Sequence, residues 1–311
     1  TSAPELAVST AASVRGDPGL ALGNVVGSNV LNVLLILGLS AVVAPLVVER
    51  RLVRLEVPFM ILASLLVMAL AIDGRVGRVE GAGLLVTGLA YTTVLVLRAR
   101  AVAPPLPGGT GAIGTARRAV AANAAMTVLG LLLLVLGSRW LVQGALAMAE
   151  SLGVPDLVVG LTIVAAGTSL PELATSVVAS VRGQRDIAVG NVVGSNIFNL
   201  LIILGAAAGV STEGLEVPLS ALTFDLPVML AVAVACLPVF VSGLRIDRAE
   251  GLIFLGFYVA YTGYLVLDAA DHYALPILRD GILFFALPLA VLALAATGYR
   301  DRPTGPDRRE G

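Results

Sequence analysis

Apolar residues run along this 311-residue chain in long blocks separated by short polar punctuation. The blocks lie at about 1–14, 19–47, 54–72, 77–97, 119–148, 155–181, 186–210, 221–242, 249–267 and 276–298. Most reach the ~20 residues that an α-helix needs to cross a bilayer, and the first has the length of half a span. Runs of this length predict membrane helices rather than a barrel.

The blocks repeat. Residues 1–32 read TSAPELAVSTAASVRGDPGLALGNVVGSNVLN, and residues 168–199 read TSLPELATSVVASVRGQRDIAVGNVVGSNIFN. The offset is 167, and 21 of the 32 positions are identical. The repeat continues: Arg75, Arg78, Glu80, Gly81 and Ala90-Tyr91-Thr92 recur as Arg245, Arg248, Glu250, Gly251 and Ala260-Tyr261-Thr262 at an offset of 170. A three-residue insertion is therefore expected near Ser211–Leu215. Each half reads as five spans: one lead helix, two motif helices and two trailing helices. The lead segment of the second half, from about Ala119, maps upstream of Thr1. The chain is thus expected to be an N-terminal fragment of a protein with ~45–50 more residues, at ~20 residues per span. The block 276–298 has no counterpart and reads as an added span.

Composition sharpens this picture. The chain is 58% hydrophobic and 13% charged, about half the charge of a soluble domain. Net charge is −1, so no nucleic acid or acidic surface is implied as a partner. All 20 basic residues are arginine. Threading the spans puts 15 on one side: Arg50, Arg51, Arg54, Arg98, Arg100, Arg117, Arg118, Arg182, Arg185, Arg245, Arg248, Arg300, Arg302, Arg308 and Arg309. Arg15, Arg75, Arg78 and Arg279 fall on the other, and Arg139 lies within a span beside Trp140, as an interface anchor or a lead-helix bond. The arginine-rich side is the cytoplasm by the positive-inside rule. The turn Arg15–Pro18 then lies outside and the turn Arg182–Asp186 inside, which makes the two copies inverted. Inverted copies place a site at the midplane. Cys236 reads as core filler and His272 as a solvated loop residue. Tyr91 and Tyr261 read as interfacial belt residues.

The chemistry sits in the doubled segment. Glu5 and Glu172 each stand in an apolar stretch beside a proline, Pro4 and Pro171. Pro171 cannot donate an N–H, and its ring clashes with the carbonyl of Gly167, so the helix should open there. Carbonyls near Ala165 and Thr168 are expected to be freed toward the bundle interior. Thr168 and Ser169 lie four and three residues before Glu172, on its helix face. Ser195 and Asn199 share a face of the next span, and Gly190 with Gly194 forms a small-xxx-small pair suited to close packing. The first copy supplies Thr1, Ser2, Glu5, Ser28 and Asn32, with Gly23 and Gly27 as its packing pair. Asn24, Asn29, Asn191 and Asn196 read as helix-bonding groups. The donors are hard oxygens with no Cys or His, which suits Ca²⁺ and Na⁺ and argues against Zn or Cu. A carboxylate at the bilayer centre costs at least ~2.5–3.5 kcal/mol. The −2 charge of two glutamates is neutralised by one Ca²⁺ or two Na⁺.

On GTSLPELATS (Gly167–Ser176) with GNVVGSNIFN (Gly190–Asn199), and TSAPELAVS (Thr1–Ser9) with GNVVGSNVLN (Gly23–Asn32), the chain resembles the cation/calcium exchanger superfamily, prokaryotic sodium/calcium exchanger type. The resemblance covers Thr1 to about Leu267. It implies a ten-helix inverted-repeat antiporter in the cell membrane that moves about three Na⁺ inward for one Ca²⁺ outward. It further implies Glu5 and Glu172 as central ligands, with Thr1, Ser2, Ser28 and Asn32 from the first half and Ala165, Thr168, Ser169, Ser195 and Asn199 from the second. Asn199 stands where some members carry Asp, which weakens a potassium-coupled reading.

The expected architecture is all-α: a polytopic membrane protein of two inverted five-helix repeats, the first lacking its lead helix, with one extra C-terminal span. The segments are 1–97 (first repeat), 98–118 (cytoplasmic linker), 119–267 (second repeat), 268–298 (added span) and 299–311 (cytoplasmic tail). The expected activity is Na⁺/Ca²⁺ exchange by alternating access. H⁺/Ca²⁺ or K⁺-dependent exchange on the same fold is the alternative, and a channel or membrane sensor stands further off. No enzyme motif, no cofactor and no obligate protein partner is expected; the partners are the bilayer and the transported ions.

Overall fold

The computed structural model describes residues 1–102 and 122–281, apart from scattered positions in 131–154 and from Ser242 and Asp271. Most of the linker 98–118, the tail 299–311, most of the added span 276–298, much of the lead segment 119–148 and Arg139 lie outside the described residues.

Among the described residues, six helices are long and apolar enough to cross a membrane: Pro18–Val43, Leu52–Leu70, Arg78–Arg98, Arg185–Val210, Ala221–Val241 and Arg248–Ala269. A seventh candidate is the pair Leu157–Thr168 and Leu170–Val181, bent by 47°. The helix Ala3–Arg15 covers the apolar block at residues 1–14. These are the polytopic, mostly helical features that the apolar blocks predict.

The repeated sequence builds repeated local structure. Gly16 ends the first motif helix at φ 88°, where Asp17 N–H donates to Ala12 O and Gly16 N–H to Ser13 O. Gly183 ends the second at φ 80°, with Gln184 N–H donating to Ala179 O and Gly183 N–H to Ser180 O. This is one Schellman cap made twice, and it requires glycine because only that residue takes positive φ without a Cβ penalty. A π-helical turn opens at Asn32 (Asn32–Leu37) and again at Asn199 (Asn199–Ile203). A second pair spans Leu52–Glu56 and Ala221–Asp225.

Four two-residue strands, found among the described residues, were not foreseen. Leu46–Val47 pairs antiparallel with Arg245–Ile246, in register Leu46 to Ile246. Arg75–Val76 pairs with Leu215–Glu216, in register Val76 to Leu215. Each ladder joins one repeat's early strand to the other repeat's late strand. The strands also relocate the insertion. The offset is 167 at Val43 and Val210, 169 at Leu46 and Leu215 and 170 at Arg75 and Arg245. Two residues enter near Ser211–Leu215 and the third at the turn before Arg245. That turn holds Gly243 and Leu244, both at positive φ (63° and 53°), where the first repeat has Gly74 alone (83°).

The chain divides into two compact units, Thr1–Ser28 with Ala69–Glu172 and Ile197–Leu222, and Asn29–Met68 with Leu173–Asn196 and Thr223–Gly311. Each draws on both repeats. In the first, a Cβ on Gly205 would lie 2.7 Å from Gly81 O. In the second, a Cβ on Gly251 would lie 2.7 Å from Gly38 O. Gly38 and Gly205, and Gly81 and Gly251, are repeat equivalents, so one helix crossing without side chains is used once in each unit.

Candidate functional site

The site forms where the two motif helices begin. Leu157–Thr168 stops at Ser169 (φ −87°, ψ 8°), and Leu170–Val181 sets off at 47°. Pro171 cannot donate to the turn before it, so the ladder is cut where the proline rule places the break. Ser2 has the matching conformation (φ −74°, ψ 22°) before Ala3–Arg15, whose first turn holds Pro4. One expectation fails in detail. Ala165 O is not freed by the bend: it accepts from Ser169 N–H at 3.0 Å, with Thr168 Oγ1 lying 3.3 Å away. The short turn after Ala165 remains helical up to Ser169, so the backbone closes on that carbonyl.

Two serines then exchange bonds between the copies. Ser2 Oγ donates to Glu172 Oε1 at 3.0 Å, and Ser169 Oγ donates to Glu5 Oε1 at 3.0 Å. Ser2 and Ser169, and Glu5 and Glu172, are equivalents at the 167-residue offset, so these are one interaction seen from both ends. Ser28 Oγ lies 3.1 Å from Ser169 Oγ. Since the single Ser169 proton goes to Glu5, the proton between the two hydroxyls is Ser28's. Thr1, exposed at the start of the chain, is within hydrogen-bonding reach of Glu172.

Buried amides brace this centre. Thr168 Oγ1 donates to Asn24 Oδ1 at 2.9 Å, and Asn24 Nδ2 donates to Ser9 Oγ at 2.9 Å. Asn191 repeats the second bond, donating to Ser176 at 3.0 Å. Gly23 and Gly27 make the close approach expected of a packing pair, and make it against Leu157–Thr168: a Cβ on Gly23 would meet Leu157 O at 2.6 Å, and one on Gly27 would overlap Leu161 O. Gly190 and Gly194 do not: nothing lies within 4 Å of a Cβ at either, among the described residues.

Ser2, Glu5, Ser28, Ala165, Thr168, Ser169, Glu172 and Asn199 thus share the first compact unit, while Asn32 and Ser195 belong to the second. Glu5, Ser28, Thr168, Ser169 and Glu172 are all buried, with exposures of 0–1%. The two carboxylates interact electrostatically, and the ion pairs found among the described residues, Arg51–Glu56 and Arg245–Asp247, lie elsewhere. Glu5 Oε2 is buried with no hydrogen bond among the described residues. Among those residues no cluster of three His, Cys, Asp or Glu side chains exists. The groups gathered here are two carboxylates with hydroxyls and an amide, hard oxygen atoms of the kind that suit Ca²⁺ and Na⁺.

Two features escape the sequence reading. Asp225 is 2% exposed inside the candidate span Ala221–Val241 and accepts from Tyr261 Oη at 2.9 Å. Tyr261 is therefore a buried partner, 6% exposed, and not an interfacial belt residue. Its ring and that of Tyr264 stack on Phe224. The signal was present as a lone Asp in an apolar run. The other feature is a bond from Asn32 Nδ2 to Asn196 Oδ1 at 2.9 Å, which no spacing rule reveals.

Comparison with known proteins follows from this geometry. The family model described as sodium/calcium exchanger protein matches residues 1–97 and 122–267. The inner membrane protein YrbG of Escherichia coli is 36% identical over 288 residues, covering 90% of this chain and 85% of that protein. The sodium/calcium exchanger MaX1 of Methanosarcina acetivorans is 33% identical over 300 residues, covering 84% of each. A solved structure of the sodium–calcium exchanger NCX_Mj, soaked with 10 mM Na⁺ and no Ca²⁺, superposes with a TM-score of 0.67 at 29% identity. That match covers 83% of this chain and 81% of the other.

Proposed function

The chain belongs to the sodium/calcium exchanger family, and from that premise we propose that it exchanges Na⁺ for Ca²⁺ at a site centred on Glu5 and Glu172. The observation that carries the reading is the reciprocal pair of bonds, Ser2 to Glu172 and Ser169 to Glu5. It draws one carboxylate and one hydroxyl from each copy into a single buried cluster. The −2 charge of that cluster is neutralised by one Ca²⁺ or by two Na⁺, so one load displaces the other. Competition of this kind is what coupling requires.

The remaining ligands are Thr1, Ser28, Asn32, Ala165, Thr168, Ser195 and Asn199. Ala165 contributes through its carbonyl, whose second lone pair is left over after the bond from Ser169 N–H. Asn32 and Asn199 are amides, so this ligand set holds no third carboxylate. Alternating access follows from inverted copies around a fixed site. In the cell membrane, with the arginine-rich face cytoplasmic, the Na⁺ gradient drives Ca²⁺ outward. Three Na⁺ in for one Ca²⁺ out carries one net charge, so 100 mV adds ~2.3 kcal/mol per cycle.

The test is ⁴⁵Ca²⁺ flux by the full-length protein in liposomes, with Na⁺, K⁺ and pH gradients imposed separately. The expected result is flux driven by Na⁺ alone, steepened by an inside-negative potential and abolished in Glu172→Gln. Flux driven only by the pH gradient, or substantial flux remaining in Glu172→Gln, rejects the assignment.

A further inference from the structure

Asn32 and Asn196 come from different repeats, and the direction of their hydrogen bond is set by a backbone group. Asn196 Nδ2 donates to Asn29 O at 3.2 Å. A backbone carbonyl can only accept, so it holds the amide end of Asn196 toward itself. Asn196 Oδ1 must then face the other way, where it accepts from Asn32 Nδ2 at 2.9 Å. Flipping Asn196 would set carbonyl against carbonyl and amide against amide. Asn29 is held in turn, donating through Nδ2 to Met229 Sδ at 3.6 Å. All these residues lie in the second compact unit; Asn32 and Asn196 are 0% and 3% exposed.

The relay has one loose end. Asn32 presents its N–H₂ to Asn196, so its carbonyl-type oxygen points the other way. That atom, Oδ1, is buried and has no hydrogen-bond partner among the described residues. A buried oxygen without a donor is unfavourable, and a cation is the partner that would satisfy it. Asn32 also opens the π-helical turn Asn32–Leu37, a local widening that is frequent at functional positions. It stands one helical turn after Ser28, on the same face.

We infer that Asn196 is a positioning residue: it fixes the Asn32 amide so that Oδ1, and not the amide nitrogen, is offered to the transported cation. This rests on the exchange reading above. The second repeat thereby orients a ligand of the first without touching the ion. A plain helix tie would need only the bond; this role also needs its direction.

The experiment is a double-mutant cycle in the full-length protein, reconstituted in liposomes and read as Na⁺-driven ⁴⁵Ca²⁺ flux. Asn196→Ala and Asn32→Ala are each expected to raise the half-saturating concentration of the same ion by about tenfold, as loss of a ligand-orienting partner does, with a smaller change in maximal rate. The double variant should match Asn32→Ala alone, because Asn196 acts only through Asn32. Asn196→Asp keeps an acceptor toward Asn32 but loses the donor to Asn29 O, so its half-saturation should rise less than in Asn196→Ala. Asn196→Ala unchanged from wild type, or a double variant with additive effects, overturns the inference. If Asn196→Ala does not fold, Asn196→Asp decides alone, and half-saturation as high as in Asn32→Ala overturns the role. Absence of Na⁺-driven flux in the wild type removes both readings together, whereas wild-type flux with an indifferent Asn196→Ala removes only this one.

Discussion

Tyr261 and Asp225 show how a single hydroxyl can decide the fate of a buried acid. Asp225 lies in the π-helical turn Ala221–Asp225 at the start of a membrane-spanning helix. The bond it accepts from Tyr261 ties this helix to Arg248–Ala269. Removing only the donor leaves a desolvated oxygen, and such a loss costs about 1–3 kcal/mol. Tyr261→Phe is therefore expected to lower the melting temperature of the detergent-solubilised protein, while Asp225→Asn, which keeps an acceptor for the hydroxyl, lowers it less. Equal melting of Tyr261→Phe and wild type would refute this. The pair also explains why one buried carboxylate is harder to read than another. Glu5 and Glu172 stand out because a proline and 21 identities in 32 positions flank them. Asp225 has a twin too, since Glu56 closes the matching π-helical turn Leu52–Glu56. That match appears only at an offset of 169. The motif offset of 167 sets Asp225 against Pro58, and the later offset of 170 sets it against Leu55. The split insertion hid the repeat of the acid.

Helices in this chain are legible because apolar length and proline position govern them, whereas contacts between helices are not. Helix positions follow the apolar blocks, and the break before Pro171 follows from a missing N–H. The ladders at Leu46–Val47 and Arg75–Val76 are two residues long, too short for any period-two signal. The same limit applies to GxxxG pairs: the motif states that an approach is possible, not that a neighbour is there. Gly23 and Gly27 meet the backbone of Leu157–Leu161, with Gly160 facing them. Gly190 and Gly194, identical in local sequence, meet nothing within 4 Å among the described residues. Overpacking of a close crossing costs about 1–3 kcal/mol, while alanine gains roughly 0.8–1 kcal/mol over glycine inside a helix. Gly23→Ala and Gly27→Ala should therefore lower thermal stability, and Gly190→Ala and Gly194→Ala should leave it unchanged or raise it. Thermal melts of the four purified variants check this. Equal losses in both pairs would mean that Gly190 and Gly194 also serve a tight crossing.

At the scale of the whole molecule, the repeats do not fold as two separate halves. Each compact unit takes segments from both, and each β ladder joins one repeat to the other. The buried serine–glutamate bonds do the same. Such interlocking is what two copies with opposite orientation in one membrane need, because a site shared between them must take equivalent groups from each. Sequence supplies the orientation argument through its arginines: the turn after Arg15 falls on the arginine-poor side and the turn after Arg182 on the rich side. Arg15 and Arg182 are both exposed and both turns use the same glycine cap, so on the arginine argument only the face they reach would differ. The chain's one cysteine, Cys236, is buried and contributes little background to thiol labelling. Arg15→Cys is therefore expected to react with an impermeant maleimide on intact cells, and Arg182→Cys only in inverted vesicles. Labelling of both from one side would place the two turns on the same face. It would remove the inversion, and with it the reason for two equivalent carboxylates to meet in a single site.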